Sequence, residues 1–166
     1  MKLRHLAAVA LCLLVGCGGE TDPRALVEEG SKALNSAKYE EAAKSYEKAL
    51  VGLGSDTANP EWKRAKMGLI RALIHIDAVR AKADFLEFAG AAPSKATDED
   101  FNLIGSKLGD AGKLQEAKAV LEAGMTAYPE SPHLKALLVD LGKRAEASGD
   151  ENLLKSLEGL GYVGGD

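Results

Sequence analysis

One signal recurs along this chain and narrows its possible folds more than any other: a helix-capping residue set just ahead of a proline or an acidic turn. Asp22 precedes Pro23, Asn59 precedes Pro60, Ser131 precedes Pro132, and Thr97 stands three residues before Asp100. A short polar side chain at such a place accepts from the free N–H groups of the first helical turn, and proline there gives up an N–H that lacks a partner anyway. Thr97 with Asp100 has the form of a reciprocal capping box. The four starts lie 37, 38 and 34 residues apart, a period that belongs to two-helix repeats rather than to a single long bundle.

A second helical segment fits inside each period: Tyr39 to Val51, Ala78 to Ala89, Leu114 to Ala127 and Glu151 to Leu157. Gly112 and Gly149 fall between paired segments as breakers. No stretch sustains an alternation of apolar and polar residues, and β-branched residues are sparse, so strands are not expected. The expected fold is all-α, eight helices in four hairpins. Small and large residues repeat on these helices: Ala42, Tyr46 and Ala49 share one face, and Ala117, Leu121 and Gly124 repeat the arrangement. Gly30 and Gly105 each stand 12 residues before the first alanine of those sets. The first helix of a hairpin thus offers a small residue to a bulky one on the second.

At these residues the chain resembles the tetratricopeptide repeat family, whose unit of roughly 34 residues places small and large side chains at fixed points of two helices. The stretch from Asp98 fits best, with Phe101, Ile104, Gly105, Gly112, Ala117, Leu121, Gly124 and Pro129. The stretch from Pro23 supplies Leu26, Gly30, Tyr39, Ala42, Tyr46 and Ala49. In the second unit Ala81, Phe85 and Pro93 keep the spacing, while the large Phe88 replaces a small residue and Gly68 falls one residue early. The fourth keeps Leu141, Gly142 and a turn at Gly149 and Asp150, as a terminal cap would.

The resemblance implies a tetratricopeptide-like α-solenoid over residues 23–157, with the first helices of successive units lining a concave groove for a protein or peptide. Family groove positions fall on Arg24, Val27, Ser31, Leu34 and Asn35 in the first unit, and on Lys63, Lys66 and Ile70 in the second. In the third they fall on Glu99, Asn102, Ser106, Gly109 and Asp110. The expected partner-binding set is therefore Arg24, Ser31, Asn35, Lys63, Lys66, Asn102, Ser106 and Asp110. Small polar groups mixed with charges suit an extended peptide, although an exposed helix face is polar in any case. The Lys and Asn set with which some relatives clamp a C-terminal carboxylate is not reproduced.

Ahead of the repeats, Lys2 and Arg4 precede an apolar run from Leu6 to Val15. That is the layout of a secretory signal, and the run is well short of the roughly 20 residues that a membrane-spanning helix needs. Leu14, Val15, Gly16 and Cys17 then resemble the bacterial lipobox. This resemblance implies removal of residues 1–16, lipid on the Cys17 sulfur and a tether over 17–22. Two or three acyl chains hold a protein durably at a bilayer. Gly18, where an Asp would retain a Gram-negative lipoprotein at the inner membrane, implies the outer membrane, facing the periplasm. Cys12 lies in the removed segment, so no internal disulfide is possible.

Lys2 and Arg4 are two of the 21 basic residues, so the mature chain carries a formal charge of −6 against −4 for the whole sequence. Nucleic acid is a poor partner for such a chain, and attachment to a membrane rests on the acyl chains rather than on basic residues. Residues 158–166 are expected to be a flexible tail. Its Leu160, Gly161, Tyr162 and Val163 are similar to a short ending found near sulfatase-like domains, whose Cys-x-Pro-x-Arg motif this chain lacks.

Enzymatic chemistry finds little to work with. His75 and His133 remain after signal removal without a second ligand in a recognised metal pattern, and each suits a helix end. Glu40, Glu41, Asp98, Glu99 and Asp100 fall in first turns, where negative charge offsets the helix dipole. Phosphate-binding and dinucleotide-binding glycine patterns are lacking. Trp62 reads as a packing residue. The expectation is a protein that is not an enzyme, holds no cofactor or metal, and acts as an envelope adaptor or assembly factor. The alternative is a periplasmic accessory subunit of a hydrolase or uptake system that binds a small ligand between helices, and self-association through a terminal hairpin is a third possibility.

Overall fold

The computed structural model of the chain describes residues 22–91 and 96–159, and among these every regular element is a helix. In chain order they are α1 (Pro23–Asn35), α2 (Tyr39–Leu53), α3 (Pro60–Ile76), α4 (Ala78–Gly90), α5 (Asp98–Asp110), α6 (Leu114–Ala127), α7 (Pro132–Ser148) and α8 (Glu151–Glu158). All four expected starts are made. The Asp22 carboxylate accepts from the Arg24 N–H at 3.0 Å and the Asn59 side chain from the Glu61 N–H at 3.0 Å. Thr97 and Asp100 close the reciprocal box, and Ser131 Oγ accepts from the Leu134 N–H at 3.5 Å. The second helices begin where expected; α2, α4 and α8 run one or two residues further.

Three of the four hairpins turn by one device. A residue in the left-handed conformation follows the first helix: Ala37 at φ 57°, Gly112 at φ 71° and Gly149 at φ 70°. The next N–H then reaches back five residues, from Lys38 to the Ala33 carbonyl (2.9 Å), from Lys113 to Leu108 (2.8 Å) and from Asp150 to Ala145 (3.1 Å). These bonds satisfy carbonyls that a helix end would otherwise leave open. The second hairpin turns differently, through Asp77 alone, which ends α3 and caps α4 by accepting from the Arg80 N–H at 3.0 Å.

Within this frame α1 packs on α2, α2 on α3, α3 on α4, α5 on α6, α6 on α7 and α7 on α8. The odd-numbered helices also touch in sequence, α1 with α3, α3 with α5 and α5 with α7, while α4 lies against α6. Polar ties follow the same period. Glu47 pairs with Arg80 at 2.8 Å, Lys63 with Asp100 at 2.7 Å, Ser131 Oγ donates to Asp98 at 3.0 Å, Arg144 pairs with Asp110 at 3.0 Å, and Gln115 donates to Asp150 at 3.1 Å. Each joins residues 33 to 37 apart, close to the spacing of the helix starts, so these ties follow the stacking of successive hairpins.

Glycine sets how closely the helices approach. The Tyr46 ring of α2 lies between α1 and α3: a Cβ on Gly30 would stand 2.9 Å from it, and one on Gly68 would overlap it outright. Gly105 of α5 admits Leu121 of α6, where a Cβ would meet the leucine at 2.5 Å. The glycine that falls one residue early is thereby accounted for, because Gly68 faces back to α2 rather than forward to α4. Beyond it, Phe85 meets Phe101 edge-on at 5.1 Å, Phe101 lies against Gly124 and Tyr128, and the Tyr128 hydroxyl donates to the Ala96 carbonyl at 2.6 Å. Val27 and Ile70, assigned to the groove by family spacing, are fully buried in this core instead. Their β-branched side chains fill the space between helices.

Candidate partner-binding cleft

Where α1, α3 and α5 come together they leave a cleft of about 360 Å³. Helical periodicity chooses its lining: Ser31 and Asn35 are one turn apart on α1, Arg64, Met67 and Arg71 recur along one face of α3, and Asp100 and Leu103 are neighbours on α5. Leu34, Met67 and Leu103 make an apolar floor, and the polar groups stand around it. Tyr46 reaches the same space by passing between Gly30 and Gly68. Ser31 Oγ donates to the Val27 carbonyl at 2.8 Å, which leaves the Tyr46 hydroxyl as the donor in the 3.1 Å contact with Ser31. A smaller crevice of about 160 Å³ continues from Leu34, Asn35 and Arg71 to Tyr39, His75 and Lys107.

The charges of this region are unevenly matched. Asp100 is engaged twice, by Lys63 at 2.7 Å and by the Thr97 N–H at 2.9 Å. Arg64 approaches Glu61 only to 3.7 Å, too far for a hydrogen bond. Arg71 is half-buried and makes no hydrogen bond or ion pair with any described residue. His75 lies flat on Tyr39, ring centroids 3.9 Å apart. Although the residue is exposed overall, partial desolvation first, and the Lys107 ammonium second, hold its imidazole below the ordinary histidine value. A histidine in the last turn of α3 was expected to gain from the helix dipole by carrying charge; desolvation and a neighbouring cation outweigh that.

Of the eight residues that spacing assigned to a partner, Ser31 and Asn35 line the cleft. Lys63 borders it through its bond to Asp100 and lies 5.9 Å from the centre of the Phe88 ring. Lys66 is directed to α4, where it pairs with Asp84 at 3.6 Å. Asp110 is engaged by Arg144 of α7, Asn102 and Ser106 are half-buried on α5 outside both crevices, and Arg24 is exposed in the first turn of α1. Cys17 lies outside the described residues, as do the signal 1–16, Pro93 and residues 160–166 of the tail. Family spacing counted from Ala81 of α4 falls on the neighbouring face of α3 and passes over Arg64, Met67 and Arg71. Their signal was Gly68 itself, whose phase places the three on the face beside it.

Among the described residues no group of three or more His, Cys, Asp or Glu is placed to hold a metal ion, and no helix is long and apolar enough to cross a membrane. Over the described residues, fold and site together define an all-helical stack of hairpins with an open cleft, apolar at its floor and lined along α3 by Arg64 and Arg71. No protein-family model, curated protein or solved structure matches the chain.

Proposed function

We propose that this protein is a lipid-anchored adaptor or assembly factor of the bacterial envelope, built as a tetratricopeptide-like solenoid and acting by holding a protein partner rather than by catalysis. In this reading residues 1–16 are a removed signal, Cys17 carries the lipid, and the domain stands at the outer membrane facing the periplasm. The observation that carries the binding role is the cleft between α1, α3 and α5. It is formed only because successive hairpins stack in register, and it combines an apolar floor with polar groups that an extended chain can reach. Periodic ties 33 to 37 residues apart support the repeat architecture.

Two measurements test the proposal. Labelled palmitate should appear on the wild-type chain and vanish from Cys17→Ser; label on both would remove the anchor. Affinity capture from envelope fractions should return a partner with the wild type that is lost when Leu103→Glu places a charge on the exposed apolar lining of the cleft. Identical partner lists from both forms would remove the cleft from the role.

A further inference from the structure

The cleft has a sign. Along its α3 wall stand Arg64 and Arg71, with Lys107 of α5 and His75 of α3 in the adjoining crevice, whereas the one carboxylate lining the cleft, Asp100, is already bonded to Lys63. A half-buried guanidinium has lost part of its hydration, and it is stabilised by a matching anion. Arg71 has none among the described residues, whereas Arg64 shares its charge with Glu61 at 3.7 Å. On a chain that carries −6 once residues 1–16 are removed, a local cluster of positive charge steers acidic segments toward this point.

We propose that the segment held in the cleft is an acidic peptide, with a carboxylate seated on Arg71 between Arg64 and Lys107 and an aliphatic neighbour against Met67 and Leu103. Arginine suits the role because its planar donors meet both oxygens of a carboxylate. Arg64 and Arg71 are seven residues apart on one helix, a rise of about 10 Å. One turn of a polyproline II chain spans about 9 Å and returns residue i+3 to the face of residue i, so acidic side chains three apart would engage both. This inference rests on the groove reading above and adds the chemistry of the partner.

The test uses the full chain in mild detergent and a fluorescein-labelled peptide built from Glu, Leu and Ser, beside its counterpart with Gln for every Glu. By fluorescence anisotropy the acidic peptide should bind about tenfold more tightly than the neutral one at low salt, with the difference shrinking as salt is raised. Arg71→Gln and Lys107→Gln should each remove most of that preference, and Lys66→Gln, already paired on the far side of α3, should leave it. Equal binding of both peptides, lost only in Leu103→Glu, would overturn the acidic partner while leaving a peptide groove in place. Binding of neither would overturn it too, and the capture experiment then judges the groove separately. Displacement of the peptide by an equal concentration of inorganic phosphate would show a small-anion site and likewise overturn it.

Discussion

The second hairpin, α3 with α4, meets the same demand as the first and third by other means. In the first and third, a glycine of the leading helix receives a large side chain of the following one: Gly30 receives Tyr46, and Gly105 receives Leu121. Gly124 in the third lets Phe101 approach. At the equivalent place in the second hairpin stands Phe88, whose ring is 6.2 Å from that of Trp62 and 6.4 Å from that of Phe85. Its turn departs as well, using Asp77 in place of a left-handed residue. Volume between paired helices is thus conserved while the residue that supplies it changes sides, since close packing requires the space to be filled and not filled from a given helix.

The largest effect tests whether Phe88 is a filler or a defect. Phe88→Ala restores the small residue that the third hairpin carries. It should nevertheless destabilise the fold by roughly 3–5 kcal/mol, because a buried ring is lost and Trp62 has nothing to take its place. Chemical denaturation measures this, and a loss below about 1 kcal/mol would show the second hairpin able to revert to the pattern of its neighbours.

Next comes Gly68, which ties the two kinds of hairpin together. Alanine is the better helix former by about 1 kcal/mol. A Cβ here overlaps the Tyr46 ring, however, and the ring cannot retreat because Gly30 holds its other side. Overpacking of this sort costs about 1–3 kcal/mol, so Gly68→Ala should lower stability on balance. Gly90→Ala, at the end of α4 with open space around it, should not. Equal responses of the two variants would mean that the approach of α3 to α2 is adjustable.

The turns give a smaller effect of opposite sign. Ala37 occupies the left-handed conformation that Gly112 and Gly149 occupy in the other hairpins. An L side chain there costs about 1–2 kcal/mol, part of which returns as extra freedom of glycine in the unfolded chain. Ala37→Gly should therefore raise the unfolding free energy by roughly 0.5–1 kcal/mol, and Gly112→Ala should lower it by a similar amount. A destabilised Ala37→Gly would show that the first turn is held by more than backbone geometry.

These contrasts mark where the sequence could be read. Caps are local chemistry, so Asp22, Asn59, Thr97 and Ser131 announced their helices, and the period between them announced the pairing. Gly30 and Gly105 could be placed because their partners lie within the same hairpin. Gly68 could not, because the ring that requires it belongs to the preceding hairpin, and a repeat alignment looks only forward. That single choice of face moved Ile70 and Lys66 into the expected groove and left Arg71 out of it. Lys63 and Asp110 show a second limit: charged residues that read as available in a sequence are spent on ties between hairpins once the stack forms, Lys63 on Asp100 and Asp110 on Arg144.

Titration of His75 joins the stack to the cleft and should give the smallest effect. In the unfolded chain the residue titrates near 6.5, and in the fold its value is lowered, by burial first and by Lys107 second. Between the two values the unfolded chain holds more protons, so stability rises with pH across that window. Above 6.5 this residue contributes no slope. As pH falls below 6.5 the fold loses stability, and the loss is complete once pH passes the folded-state value. His75→Asn should remove that slope. Lys107→Gln should raise the His75 value toward 6.5 without reaching it, because burial, the larger cause, remains; an NMR titration of the imidazole reads the shift. A His75 value that ignores Lys107 would separate the ammonium from the crevice beside Arg71, and one of the charges that give the cleft its sign would have to be struck out.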